Sequence, residues 1–370
     1  MVTDPRAFAL LAADWADLYR RTPTATPFQS HPWLYSWWLS YGRPGRLRLY
    51  LVRDPHGRLV AAAPLMLVHR PLPTLVPLGG AISDYTDVLL DPDPGHGPPA
   101  AAALTTALAA AARTALVDFR EVRPGAAVER ILDRWPGPWR RVTDSVCLEL
   151  PALPMEELVA RLPSAKARQR VRAQLRRLAT LGVERRIVGP DDVDRALRRL
   201  VELHRLQWQG RKVTGEHLQP RFREHLIRSA GPMVRSGTAV VTEFRLYDEI
   251  VAVDLTLKSP SLTGGYLYGA HPRLREGKAD VAVMLLDACA EHTRAGDAPG
   301  VLSLLRGDEP YKHHWRPEPV VNQRLLLARR PTAPLLATAL ADAHARRHGK
   351  RLLHLLQERR GKERGTGGGP

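Results

Sequence analysis

The chain has 370 residues, 44% of them hydrophobic, and a formal net charge of +17. This length suffices for two domains of ordinary size, and no run of about 18 apolar residues predicts a membrane span. Its only cysteines, Cys147 and Cys289, exclude a disulfide framework and a cysteine-rich metal site. No His, Cys and Asp pattern has metal-ligand spacing. The N-terminus lacks a signal-peptide pattern, so we expect a cytoplasmic protein.

The predicted elements of the first half mix helices and strands. Apolar residues at helical spacing predict a helix over 8–19, and Pro32 suits the first turn of a second helix over 33–41. An alanine-rich helix is predicted over 100–115. Strands are predicted over 47–52, 59–67, 88–90, 117–119 and 145–150. This order is typical of a mixed α/β domain.

The second half repeats the mixture. Helices are predicted over 156–181, 193–209, 222–229 and 280–293, and strands over 238–246, 250–258, 264–270 and 301–305. Residues 331–370 predict a helical tail to about residue 360, with a glycine-rich end that we expect to be disordered.

The excess positive charge lies in two segments. Residues 161–186 hold nine Lys or Arg against Glu184 alone, and residues 329–370 hold ten against three acidic residues. Residues 1–150, in contrast, hold 16 Lys or Arg residues and 14 acidic residues. Arg168, Arg172 and Arg176 recur every fourth residue in the first segment. That spacing favours a polyanion contact or a solvated helix face, and the pattern leaves both open.

Residues 306–315, Arg-Gly-Asp-Glu-Pro-Tyr-Lys-His-His-Trp, form the most site-like stretch. They follow the apolar run 301–305, which predicts a buried strand. A strand end that combines cations, carboxylates, Tyr and His brings many kinds of polar group onto fixed backbone, as active sites do. Gly-Asp-Glu-Pro is also ordinary turn chemistry, and a solvated turn is the alternative.

This stretch resembles the signature near the end of CelD/BcsL-type acetyltransferases, which belong to the GNAT superfamily and are related to the FemAB peptidyltransferases. Earlier blocks resemble the same family in the same order. They are Pro-Phe-Gln-Ser-His-Pro-Trp-Leu at 27–34, Trp-Trp at 37–38, Tyr-Gly at 41–42, Ala-Pro-Leu at 63–65, Leu-Gly at 78–79 and Asp-Tyr-Thr-Asp at 84–87. The resemblance extends from about residue 28 to about residue 315.

The resemblance implies an α/β fold with two GNAT-like domains in tandem, each a mixed sheet flanked by helices, plus a C-terminal helical tail. We place the domains at 1–155 and 187–330. A basic helical linker at 156–186 is expected to join them, and a basic tail follows at 331–370. We therefore expect two separate sheets, one in each domain.

In a GNAT fold, backbone N–H groups of the loop after the third long strand hold the pyrophosphate of the acyl donor. The resemblance therefore implies acetyl-CoA or another acyl-CoA as donor, with the loop glycine allowing close approach. The corresponding residues are Arg273, Arg275, Gly277, Lys278 and Ala279. The loop departs from the Ser-Pro-Gly form common in the family, and Ser303 replaces an Asp that the family often has.

At the reacting end, the resemblance implies Tyr311 and Lys312. We expect Lys312 to be exposed and to stabilise the oxyanion of the transferred acyl group. The alternative is that Lys312 only pairs with Asp308 or Glu309 across the turn. Asp308 or Glu309 is the expected base or acceptor-positioning group, and His204 and His313 are alternative bases.

Acceptor binding is expected at the cleft between the domains. The candidate residues are Asp84, Tyr85, Asp87, Arg306 and His204. Asp84 is equally suited to capping a turn. Trp33, Trp37 and Trp38 suggest a sugar platform, although aromatic residues at helical spacing favour a core role.

Three functions fit the sequence. The leading one, implied by the resemblance, is transfer of an acyl group from a CoA thioester to an amine or hydroxyl of a saccharide, polysaccharide precursor or secondary metabolite. The second is a FemAB-like aminoacyltransferase that uses charged tRNA, favoured by the basic segments 161–186 and 329–364. The third is a noncatalytic binding protein of GNAT fold, favoured by the altered loop and Ser303.

Overall fold

The computed structural model describes residues 1–69, 72–207, 215–293 and 300–341. Its strands are β1 Leu47–Arg53, β2 Leu59–His69, β3 Pro73–Pro77, β4 Leu89–Leu90, β5 Leu116–Val122, β6 Trp139–Pro151, β7 Glu184–Ile187, β8 Ala239–Leu246, β9 Glu249–Lys258, β10 Leu262–Ala270, β11 Val301–Arg306 and β12 Glu318–Leu327. Its helices are α1 Pro5–Leu10, α2 Ala12–Arg21, α3 His31–Tyr41, α4 Gly97–Ala111, α5 Glu129–Leu132, α6 Met155–Ala160, α7 Ala165–Thr180, α8 Val193–Gln207, α9 Pro220–Arg235, α10 Arg273–Glu276, α11 Val281–Thr293 and α12 Pro310–His313. Residues 333–341 are also helical.

The fold is mixed α/β, as predicted, with a large mixed sheet flanked by helices. The expectation of two separate sheets is wrong. All the strands lie in one sheet, in the order β1-β2-β3-β5-β12-β6-β11-β10-β9-β8-β7, with β4 paired to β2. The sheet therefore runs without interruption from the first half of the chain into the second.

An exchange of strands joins the two halves. Strand β12 from the second half lies between β5 and β6 and pairs antiparallel with both. Strand β6 from the first half lies in turn between β12 and β11. Because each half supplies an inner strand to the other, neither half completes its sheet alone. The sequence reasoning missed β12, along with β3 and the short edge strand β7. The domain bounds at 155, 186 and 330 stay a prediction.

Side-chain alternation along β9 gives the second half two layers. Val253, Leu255 and Leu257 pack with α8 and α9 on one face of the sheet. Ala252 packs with α11 on the opposite face, and Asp254 shares that side because successive strand residues alternate between faces.

The basic helix α7 packs within the second half. Its apolar residues Ala167, Val171 and Leu175 lie against a cluster that includes Val283 and Leu286 of α11. The helix therefore covers α11. Only the start of the tail is described, and the predicted disordered end and most of the basic segment 329–364 fall outside the described residues.

The tryptophans of α3 belong to the core, as the sequence favoured. Trp33 is fully buried, and Trp37 and Trp38 are nearly so. The Trp33 ring meets the ring of His225 on α9 edge-on at 4.5 Å. Helix α3 thus adds a second contact between the halves.

Candidate active site

Strands β10 and β11 separate and leave a cavity between them. They pair in parallel at only three positions, ending at Gly264 and Ser303, although both strands continue. Gly264 permits this close approach, because a Cβ there would lie 2.9 Å from the carbonyl oxygen of Ser303. Beyond this point a cavity of about 180 Å³ opens beneath α11.

The cavity walls are mostly apolar, with a few polar groups. Its polar lining consists of Asp254, Tyr268, Cys289, Ser303, Tyr311 and Lys312, and its larger apolar lining of Leu285, Leu286, Leu302, Leu304 and Trp315. A concave apolar site with a few convergent polar groups is typical of small-ligand pockets.

A β-bulge in β11 shapes the inner wall. The register with β6 shifts between Ser303 and Arg306, and Leu305 adopts a φ of 57°. The shift lets Ser303 and Leu304 both line the cavity, whereas consecutive residues of a regular strand face opposite sides. Bulges often re-aim side chains next to active sites.

Lys312 lies in the cavity wall, where the sequence placed the reacting end, but it is buried. Only 5% of its surface is exposed, which corrects the expectation of an exposed lysine. Its ammonium is 2.8 Å from Glu309 Oε2 and donates to the backbone oxygens of Arg306 and Gly307 at 3.2 and 3.4 Å. The turn that follows β11 therefore folds back over its own lysine.

The remaining predicted catalytic residues lie nearer to solvent. Tyr311 is half exposed and lines the cavity mouth, and burial together with Glu309 raises its pKa to about 12. Asp308 has a side chain 75% exposed and pairs with His313 at 2.5 Å. Neither Asp308 nor Glu309 is among the residues that line the cavity.

Asp254 is a cavity residue that the sequence reasoning missed. It is 2% exposed, and its Oδ2 accepts a hydrogen bond from Thr256 Oγ1 at 2.6 Å. Burial raises its pKa to about 7, although the Thr256 bond opposes the shift. A single Asp within the apolar run 250–257 was the available signal.

Arg306 joins the two halves through a buried polar group that we call the seam cluster: Asp84, Glu121, Ser145, Arg306 and Asn322. The Arg306 guanidinium lies 3.2 Å from Asp84 and 2.9 Å from Glu121. Asn322 Nδ2 donates to the Asp84 carbonyl at 3.0 Å and to Glu121 at 3.2 Å. Burial opposes the Arg306 charge, but the two carboxylates outweigh it and raise the Arg306 pKa. These contacts tie the exchanged strands together.

Tyr85 connects the first half to the cavity wall. It is buried, and its hydroxyl bonds Ser303 Oγ at 3.0 Å and Glu149 at 3.2 Å. Arg123 holds Glu149 through two bonds of 3.0 and 2.7 Å. Tyr85 thus holds the Ser303 side chain in place through this hydrogen bond. Its role in substrate binding stays a prediction.

Asp87 and His204 lie away from the cavity. The Asp87 carboxylate accepts backbone N–H bonds from Val88, Ala127 and Val128, each at 2.8 Å. These contacts favour a structural role. His204 is on α8, across the sheet from α11, with Nδ1 2.8 Å from the Tyr268 carbonyl oxygen. The substrate roles of both stay predictions.

The predicted donor loop does not present free amides. Because residues 273–276 coil into α10, every backbone N–H of 273–279 already donates within the loop. Asp280 caps α11 by accepting from the amides of Ala282 and Val283 at 3.1 and 3.2 Å. Gly277 has a φ of −69°, and a Cβ there would meet nothing closer than 3.5 Å. The donor-binding role of the loop stays a prediction.

A second concavity, which we call the outer groove, adjoins the cavity. It measures about 370 Å³, and α7 contributes Lys166 and Arg170 to its wall. It shares Ala282, Tyr311 and Trp315 with the cavity. The groove therefore leads from a basic helix face to the cavity mouth.

The basic triplet singled out in the sequence is partly engaged elsewhere. Arg172 pairs with Glu156, and Arg168 donates to the Leu162 carbonyl at 2.9 Å. Lys166 and Arg170 are exposed on the groove side instead.

Comparison with known proteins finds a similarity in the second half. Residues 165–313 match the family described as Acetyltransferase (GNAT) domain. None of the curated proteins matches the chain in sequence. Membership in the CelD/BcsL-type group stays a prediction.

Solved structures extend the likeness to both halves. FemX covers 91% of this chain and 99% of its own, with a TM-score of 0.60 at 11% identity. The alignment with L-PGS from Bacillus licheniformis covers 91% of this chain and 97% of L-PGS, with a TM-score of 0.54 at 14% identity. A third structure is the C-terminal DUF2156 domain of a protein from Agrobacterium fabrum that is provisionally assigned as a lysylphosphatidylglycerol synthetase. Its alignment covers 91% of this chain and 96% of its own, with a TM-score of 0.56 at 12% identity. At these identities the similarity concerns the fold alone.

The described residues contain neither a membrane-spanning helix nor a clustered metal site. None of the helices in residues 1–69, 72–207, 215–293 and 300–341 has the length and apolar character needed to cross a membrane. In the same ranges, no group of three His, Cys, Asp or Glu side chains is placed to hold a metal ion.

Proposed function

We propose that the chain is an acyltransferase whose transferred group lies in the cavity between β10 and β11. The observation that carries this proposal is the separation of the two strands at Gly264 and Ser303, with Lys312 in the wall of the resulting cavity. An amine or hydroxyl of the acceptor attacks the acyl carbonyl carbon, the carbonyl oxygen gains negative charge, and collapse releases the donor.

Lys312 is the proposed oxyanion donor. Its three N–H groups are directed at Glu309 and two backbone oxygens. The 3.4 Å bond to Gly307 is the longest, so it is the one that an oxyanion replaces at least cost. Glu309 adjoins this ammonium and is the proposed acceptor of the nucleophile's proton.

An acyl-CoA donor would find cations but no free amides in the predicted loop. A pyrophosphate needs free amides or cations, and the amides of 273–279 are all bonded. Arg273 pairs with Glu249, whereas the exposed Arg275 and Lys278 have no ion pair among the described residues. Acyl-CoA therefore remains the alternative donor.

Aminoacyl-tRNA is the donor that the geometry favours. The exposed Lys166 and Arg170 line the outer groove, which opens at Tyr311 into the cavity. Clustered cations beside a groove suit a nucleic-acid backbone, while the esterified end would enter the cavity. The acceptor is proposed to be the amine or hydroxyl of a small molecule or saccharide.

A donor panel tests the proposal. The full chain is incubated with labelled acetyl-CoA or with a mixture of aminoacyl-tRNAs, and binding and loss of the labelled ester or thioester are measured. We expect salt-sensitive tRNA binding and no response to acetyl-CoA. In Ala282→Phe, whose ring would fill the cavity mouth, tRNA should still bind but transfer should stop. Binding of neither donor would favour the noncatalytic alternative.

A further inference from the structure

One buried carboxylate faces the cavity without a charged partner. Asp254 receives a hydrogen bond from Thr256 Oγ1 at Oδ2, and among residues 1–69, 72–207, 215–293 and 300–341 no cation lies within ion-pair distance of it. Its Oδ1 is directed toward Gly265 of β10, where a Cβ would lie 3.8 Å away. Both residues line the cavity.

Three other buried carboxylates among the described residues each accept two or more hydrogen bonds. Asp118 is held by Arg324 through two bonds of 2.8 Å, Glu149 by Arg123, and Asp87 by three backbone N–H groups. Burial of a carboxylate without such partners costs free energy. Since Asp254 lies on a cavity, a cation from outside can supply the missing partner.

We infer that the cavity takes an aminoacyl group, and that Asp254 binds its ammonium. A metal ion would need several oxygen ligands, whereas the wall around Asp254 is dominated by leucines. A planar guanidinium would need a second acceptor for its fork. A compact ammonium can pair with one carboxylate.

The pairing also assigns the ammonium to the transferred group. An amine held as an ammonium by a carboxylate has no free lone pair and cannot act as the nucleophile. The cation therefore belongs to a part of the substrate that does not attack, and since the acyl group is proposed to occupy this cavity, we assign it to the acyl moiety. This inference rests on the proposed function, because it assumes that the acyl group occupies the cavity.

Two matched probes test it. L-alaninamide and propionamide differ only by the amino group, and their binding to the full chain at neutral pH is measured by ligand-observed NMR. We expect the wild type to prefer L-alaninamide at least tenfold. Asp254→Asn, which keeps the shape and removes the charge, should abolish the preference. Asp248→Asn removes the same charge from the exposed turn before β9 and should keep it.

The outcomes separate the two claims. Equal binding of both amides by the wild type would leave the cavity as the acyl site and overturn the role of Asp254. A preference that survives in Asp254→Asn would also overturn it. Binding of neither amide would count against both the inference and the proposed function.

Discussion

Replacement of Asp254 by Asn should stabilise the protein, and the gain should depend on pH. The Asp254 carboxyl has a pKa of about 7 in the folded chain against 3.8 for the ordinary group. Each pKa unit corresponds to about 1.4 kcal/mol, so the roughly three units amount to an upper value of about 4 kcal/mol. Asn keeps a carbonyl oxygen for the Thr256 hydroxyl and cannot ionise.

The direction of the pH dependence of the free energy of unfolding depends on whether the folded or the unfolded state binds the proton more tightly. Well below pH 3.8 the carboxyl is protonated in both states, and the charge contributes nothing to the free energy of unfolding. As the pH rises from 4 to 7 the unfolded chain ionises first, which favours unfolding. Above pH 7 the penalty is complete. The stability difference between Asp254→Asn and wild type should therefore be near zero at pH 4 and reach several kcal/mol at pH 8.

Urea denaturation at several pH values from 4 to 8.5 measures this difference. Asp248→Asn is the matched control, because it removes an exposed carboxylate at a φ of 63° that Asn tolerates well. Its difference from wild type should be small and flat. If Asp254→Asn behaves like this control, or destabilises the protein at pH 8, the claim that Asp254 lacks a compensating partner among the described residues is refuted.

Three other substitutions address the site and the seam. Lys312→Met should lower the free energy of unfolding by about 1–3 kcal/mol, since two backbone oxygens lose a donor, and should reduce turnover roughly 100- to 1,000-fold; a variant that is only destabilised would place the oxyanion site elsewhere. Arg306→Met should lower the free energy of unfolding by about 3–5 kcal/mol in urea denaturation, because Asp84 and Glu121 lose their buried cationic partner. A loss below 1 kcal/mol would contradict that account. Reversal of Lys166 and Arg170 to Glu should weaken tRNA binding and flatten its salt dependence, whereas reversal of Arg172, which already has a partner, should do so less; equal effects would count against the outer groove.

The sequence predicted the strand beside the candidate site for local reasons. An apolar run predicts the buried strand β11, and the polar turn after it carries Tyr311 and Lys312, which line the cavity. Their place at the reacting end was implied by the family resemblance and stays a prediction. The core role of Trp33 also followed from helical spacing. Burial of Lys312 did not follow, because it depends on how the turn after β11 folds back over the side chain.

What the sequence determined by itself was most of the helices and strands, though not β3, β7 and β12, since periodicity and turn residues act over a few positions. Their pairing was decided only by the tertiary structure. Strand β12 pairs with β5 some 200 residues earlier in the chain, for example Leu325 with Phe119, and no local pattern encodes such a partner. The same applies to Asp254. The face of β9 on which Asp254 lies follows from local strand alternation. Its lack of a counter-charge depends on where β10, β11 and α11 place their side chains.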